Sequence, residues 1–182
     1  MLRLFRWIAV EEGASVSLTG FTVKMSRRSA VAVWVIGIGL AHMALPLGVA
    51  RATRRITVKN YPSIRLVGLA SLSGGLAGLA WSLAQHYQAG PDSGYKMALT
   101  PDYLLQSGPY RLSRNPMYVA ELAIWTGWSL LLRNPILAAA TAMLAVALRH
   151  AVTLEEAAIA ARFADDWEEY ATRTPRWLGK NG

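Results

Sequence analysis

Two arginines three residues apart, Arg111 and Arg114, stand beside an Asn115-Pro116 pair and between two tyrosines, Tyr110 and Tyr118. Farther along, two adjacent carboxylates, Glu155 and Glu156, are followed by Trp167 and Tyr170. Guanidinium groups bind and orient anions. Carboxylates hold an ammonium or a ribose hydroxyl, or accept a proton. Tyrosine faces attract cations. Asn is a favoured helix N-cap and Pro suits the first helical position, so a helix starting at Pro116 would offer its positive end to an anion. Plainer roles exist for each. Arginines anchor phospholipid headgroups, Asn115 caps a helix, and Glu155 and Glu156 form a solvated face or pair with Arg111 or Arg114. No metal is indicated, because cysteine is absent and the three histidines, His42, His86 and His150, lack ligand spacing.

The elements that must position these residues are apolar. Of 182 residues, 53% are hydrophobic, and they cluster in blocks of helix length. The net charge is +8, with the basic residues flanking those blocks. That pattern points to a membrane rather than to nucleic acid. We expect an all-α integral membrane bundle of four transmembrane helices, spanning about residues 30–49, 64–84, 117–132 and 135–150. The last two form a helical hairpin around Arg133-Asn134-Pro135, and a helical cytoplasmic tail follows. Pro46 is expected to kink or end the first span. Residues 1–28 read as an interfacial lead, with Leu2, Phe5 and Ile8 at helical spacing. Residues 29–178 form one membrane domain, and 179–182 are a tail. In the second span Ala70, Gly74, Gly78 and Ser82 recur every four residues, a stripe suited to close helix packing.

Four spans put both termini and the loop at 87–116 on one side, which then carries 13 of the 19 Lys and Arg residues. By the positive-inside rule that side is cytoplasmic. The two polar clusters therefore meet at one membrane face.

"SGPYRLSRNPMY", "LEEAAIAARFADDWEEY" and "TPRWL" resemble, in order and spacing, the motifs of the isoprenylcysteine carboxyl methyltransferase and phospholipid methyltransferase family, in its short bacterial form. The resemblance covers roughly residues 104–178. It implies an S-adenosylmethionine-dependent methyltransferase of the inner membrane, with no metal. Its acceptor would be a lipophilic small molecule or lipid-anchored group bearing a carboxylate or an amine. Carried over residue by residue, it implies a cofactor site of Gln106, Gly108, Tyr110, Asn115, Pro116, Tyr118, Glu155 and Glu156. Arg111, Arg114 and Glu156 are the candidate catalytic groups, and Trp167 and Tyr170 contact the acceptor. An arginine would orient a carboxylate nucleophile, whereas an amine would need Glu155 or Glu156 as base. The chain departs from the family pattern at Asn115, where His is frequent, at Ala164, where Gly is usual, and at Trp167, where Tyr is usual.

"NPMYVAELAIWTGW" also resembles the Tyr-x-x-Glu…Trp pattern of membrane steroid and sterol reductases, which bind NADPH. That alternative would bring Glu121 and Trp125 into the site. A non-enzymatic membrane scaffold, which would bind no ligand at the polar face, is a further alternative.

Overall fold

The computed structural model describes residues 15–18, 21–24, 35–54, 56, 58–59, 61–89 and 103–179. The lead helix expected around Leu2–Ile8 lies outside them. Within that lead, β1 (Ser15–Leu18) and β2 (Phe21–Lys24) pair antiparallel, with Val16 opposite Val23 and Leu18 opposite Phe21. The all-α expectation holds beyond this short pair in the lead. Apolar residues alternate there with Ser and Thr, and only Thr19 and Gly20 separate the two runs. The other regular elements among the described residues are helical.

Three of the helices are long and apolar enough to cross a membrane: α1 (Val35–Ala52), α2 (Pro62–Ala89) and α4 (Pro135–Arg173). The chain is a membrane protein. The helix between them, α3 (Pro116–Leu131), has 16 residues. It spans about 24 Å, short of a ~30 Å hydrocarbon layer. About 20 residues suffice for a crossing, so the spanning part of α4 covers roughly its first half and Glu155 lies at its end.

Pro46 neither ends α1 nor breaks it. The chain widens into a π-turn at Leu40–Ala44 just before the proline and continues helically to Ala52. Proline lacks the N–H that would bond the carbonyl four residues back, that of His42. Trp128 on α3 replaces it, its Nε1–H donating to His42 O at 2.8 Å.

The principal packing is α2 against α3. The buried residues of α2 are Gly68, Gly75, Leu79 and Ser82, of which Gly68, Gly75 and Ser82 stand seven residues apart. Seven residues fall only about 20° short of two full turns. The four-residue stripe read from sequence gains about 40° at each step. Gly78 of that stripe meets Ala120 of α3 and Ser82 is buried, whereas Ala70 and Gly74 have rotated to the exposed side. A Cβ on Gly75 would lie 2.8 Å from Ala120 O and Ile124 N, so the backbones touch there. Ser71 Oγ donates across the seam to Ala123 O at 2.8 Å. Leu79, Ala120 and Ile124 form the core cluster, joined by Leu72, Met117 and Trp128.

Three residues link α3 to α4. Asn134 caps α4, its side-chain oxygen accepting from Ile136 N at 2.9 Å and Leu137 N at 3.2 Å. Its Nδ2 donates to Thr53 Oγ1 at 2.7 Å and ties the turn to the end of α1.

Helix α4 is broken at Ala164, where φ is 43° and ψ is −114°. This is the position where the resembled family carries glycine. An L side chain in that region costs about 1–3 kcal/mol. Ala164→Gly is expected to raise stability by about 1 kcal/mol, after the entropy glycine costs in the unfolded chain is subtracted. Thermal unfolding in detergent checks this; a lowered midpoint counts against the strain.

Candidate functional site

The site forms where the start of α3 meets the far part of α4 and the segment after it. A 3-10 turn at Gly108–Arg111 leads in. Gly108 has φ 58°, and a Cβ there would stand 2.8 Å from Gln85 Cγ. The positive φ favours glycine there, whereas the Gln85 side chain could swing aside. The turn buries Tyr110, whose hydroxyl lies 2.6 Å from His86 Nε2 on α2. From the other side, Tyr170 OH donates to Tyr110 O at 2.7 Å. Tyr170 is 1% exposed, so it holds α4 against the turn and offers no free surface.

Helix α3 begins at Pro116 with Asn115 in the cap position. Its side chain does not cap. Asn115 Nδ2 donates instead to Glu156 Oε1 at 2.9 Å and to Arg176 O at 3.1 Å. The segment after α4 is laid over the start of α3 by two further bonds: Arg114 N donates to Pro175 O at 2.8 Å and Ser113 Oγ to Arg176 O at 3.0 Å.

The two adjacent glutamates are divided in role. Glu156 is 6% exposed. Its Oε2 accepts from Arg176 Nε at 2.9 Å and stands 2.8 Å from Arg176 Nη2 and 3.4 Å from Arg114 Nη1. With Asn115 on Oε1, both oxygens are engaged. A carboxylate can be buried at this cost only when paired and hydrogen-bonded in this way. Glu155 is half-buried and accepts from Tyr118 OH on Oε2 at 2.8 Å. Its Oε1 has no partner among the described residues. Burial pushes the Glu155 carboxyl above its ordinary range, and the Glu156 charge adds to this, while the Tyr118 bond works against it.

The Arg114 guanidinium lies 5.4 Å from the Trp167 ring centre, and its Nε is buried without a hydrogen-bond partner. Trp167 meets Tyr170 edge-on at 5.8 Å.

The structure therefore brings together Arg114, Asn115, Pro116, Tyr118, Glu155, Glu156, Trp167 and Tyr170. Tyr110 is joined to them through Tyr170. Arg111 is exposed. Gln106 accepts from Arg173 Nη2, and Gly108 packs on Gln85. Both lie at the rim of the cluster. Arg176 and Ser113 are central and were not among the sequence candidates. Arg176 was visible in "TPRWL", where a charge after a proline had no partner to suggest its role.

Among the described residues there is no His, Cys, Asp and Glu grouping able to hold a metal ion. No curated protein and no solved structure matches the chain. The model of one family, phospholipid methyltransferase, matches residues 65–166. The matched segment holds α2 from Arg65 on, all of α3, both arginines and both glutamates, and it stops one residue before Trp167. On that match the chain belongs to the phospholipid methyltransferase family.

Proposed function

We propose that the protein is an S-adenosylmethionine-dependent methyltransferase acting on a lipophilic acceptor at the cytoplasmic face of the inner membrane. In this reading the short α3 crosses as a fourth span and forms a hairpin with α4, so that both termini and the site lie on that side. The observation that carries this reading is the division of labour between the glutamates. Glu156 is fully occupied in fixing the start of α3, which leaves Glu155 to face a ligand.

The residues fit the cofactor's chemistry. Glu155, with one free oxygen, suits its ammonium. The N–H groups opening α3, uncapped by Asn115, suit its carboxylate, with the unpartnered Arg114 Nε a second donor. The rings of Tyr118 and Trp167 offer faces to a sulfonium. When bound, the cofactor supplies an electrophilic methyl group. The chain's own contribution is to hold the acceptor in line and close. Gln106, Gly108 and Tyr110 then serve as the frame on the α2 side. Arg111 is free to meet the acceptor's headgroup at the surface.

Full-length protein should gain thermal stability from S-adenosylmethionine or its demethylated product and none from NADPH. Stabilisation by NADPH alone would end this reading in favour of the reductase alternative, for which the family match offers no support. Glu155→Gln should weaken cofactor binding by about 2 kcal/mol, the scale of a charge-assisted hydrogen bond. The pH dependence has a definite sign. A carboxyl whose pKa is raised by folding keeps a proton that the unfolded chain has released. Its stability contribution is complete below the ordinary carboxylate pKa and is lost as pH rises through the raised one. A bound ammonium favours the ionised form, so cofactor affinity climbs over that same window. In Glu155→Gln both trends vanish. Calorimetric titration at several pH values distinguishes this from a pH-independent loss.

A further inference from the structure

The end of the molecule away from the cluster is built from two turns. Val58 N, between α1 and α2, donates to Arg133 O, between α3 and α4, at 3.1 Å. Asn134 Nδ2 reaches Thr53 Oγ1 beside it. The two turns thus form one platform at the far end of α3. It carries Arg51, Arg54, Lys59, Arg65 and Arg133, the first four of them exposed. No acid occurs in residues 13–91 or 122–154 of the sequence. The carboxylate of α3, Glu121, stands 3.3 Å from His42 Nε2 inside the apolar layer and is taken up there. None of the five cations has a carboxylate partner among the described residues. The charge of the platform is uncompensated.

Helix length puts this platform among lipid headgroups. With 28 residues, α2 spans about 42 Å, against a hydrocarbon layer of ~30 Å. Centred on that layer, it overshoots by about 6 Å at each end. Arg65 and the turn before it then lie at the depth of lipid phosphates. Between the cations stand Ile56, Val58 and Tyr61, which are 48%, 54% and 49% exposed. Apolar side chains so placed gain by dipping below the headgroups, a gain that a soluble polyanion does not offer. Lys59 Nζ lies 5.7 Å from the Tyr61 ring centre, so a cation and an interfacial aromatic are held together. Arg133 has φ 52°. That is the left-handed region where glycine is the usual residue just past a helix end. The chain keeps a cation where glycine would fit more easily.

We propose that this platform is a binding surface for anionic phospholipids in the leaflet away from the Glu155–Glu156 cluster, their phosphates lying among Arg54, Lys59, Arg65 and Arg133. The proposal stands apart from the methyltransferase reading and does not need it. Each cation close to an anionic membrane surface adds about fivefold to association. Several together select an anionic lipid over a zwitterionic one. A zwitterionic headgroup brings an ammonium beside its phosphate, which the platform repels, whereas a glycerol headgroup brings none. Bound lipid would offset the like charges of the two turns and hold both at one depth, so that the ends of α1, α2, α3 and α4 are fixed together.

The chain has no cysteine, so a single introduced one can carry a probe. Ser63 is exposed beside the platform. The full chain with Ser63→Cys, labelled with a fluorophore, is placed in phosphatidylcholine nanodiscs. Phosphatidylglycerol or phosphatidylcholine bearing a nitroxide at the top of its acyl chain is then added as quencher. Phosphatidylglycerol should associate at least about fivefold more strongly than phosphatidylcholine, and this ratio should fall toward unity in about 1 M salt. Arg54→Gln combined with Lys59→Gln should lower it toward unity, while Arg162→Gln on α4 should leave it unchanged. Arg133→Gly, which suits its backbone, should lower the ratio without lowering the unfolding midpoint, so that loss of charge is told apart from loss of fold. Inorganic phosphate and a short oligonucleotide, at constant ionic strength, should leave the lipid in place. Equal quenching by the two lipids overturns the proposal. So does a ratio indifferent to salt or to the Arg54 and Lys59 changes, or displacement by either soluble anion.

Discussion

Glu156→Ala should cost about 3–5 kcal/mol of stability, the penalty for removing one partner of a buried ionic cluster. The loss is large because the carboxylate is shared. Arg114, with 14% of its side chain exposed, would be left buried without a counter-charge, and Asn115 would lose one of its two acceptors. The segment at Pro175 and Arg176 would keep only its backbone bonds to the start of α3. Glu156→Gln should cost less, since its amide oxygen still accepts from Asn115. Arg176→Ala should cost least, because that side chain is 43% exposed and Arg114 remains with the carboxylate. Unfolding in detergent, followed by tryptophan fluorescence, gives the order. Should Glu156→Ala unfold within about 1 kcal/mol of the parent, Glu156 is not the frame of the site, and a direct catalytic role for it regains its standing.

How much of this was legible in the sequence depended on whether the signal was local. Asn115-Pro116 and Asn134-Pro135 each mark a helix start through their own backbone preferences, and α3 and α4 begin where those pairs stand. Yet only Asn134 caps with its side chain. Asn115 gives its amide to Glu156, and no local pattern could reveal a partner so far along the chain. The same limit hid Arg176 and the pairing of Glu121 with His42. Chain neighbours Glu155 and Glu156 could be picked out together but not told apart. On a helix they point about 100° apart, and which one meets the arginines is decided by the rotation of α4. Pro46 misled for a related reason. Its cost to a helix is a local rule, but the donor that offsets it comes from Trp128 on another helix. The β1–β2 pair was legible by its alternation and went unread beside the stronger apolar pattern.

The rotation of α2 offers the second large effect. Gly75→Ala should destabilise the protein by about 1–3 kcal/mol, as overpacking of a filled contact does, while Gly74→Ala next to it should be neutral or gain up to about 1 kcal/mol from helix propensity. A methyl at Gly75 would press on Ala120 O, Ile124 N and Ile124 Cγ1, each 2.8 Å away, and two of these are backbone atoms that cannot swing aside. Gly74 has nothing within 4 Å. The seam can open only by moving α3, because Gly127 on the other side is equally tight, its added Cβ falling 2.6 Å from Leu72 N. Moving α3 shifts Asn115, Tyr118 and Glu121 together, so Gly75→Ala should lower methyl transfer beyond its effect on stability. Gly127→Ala should do the same from the facing helix. Stability and turnover measured in the same membrane mimetic decide it. If Gly74→Ala proves the damaging change and Gly75→Ala is silent, α2 is rotated from the position described, and the four-residue stripe read from the sequence is the true packing face.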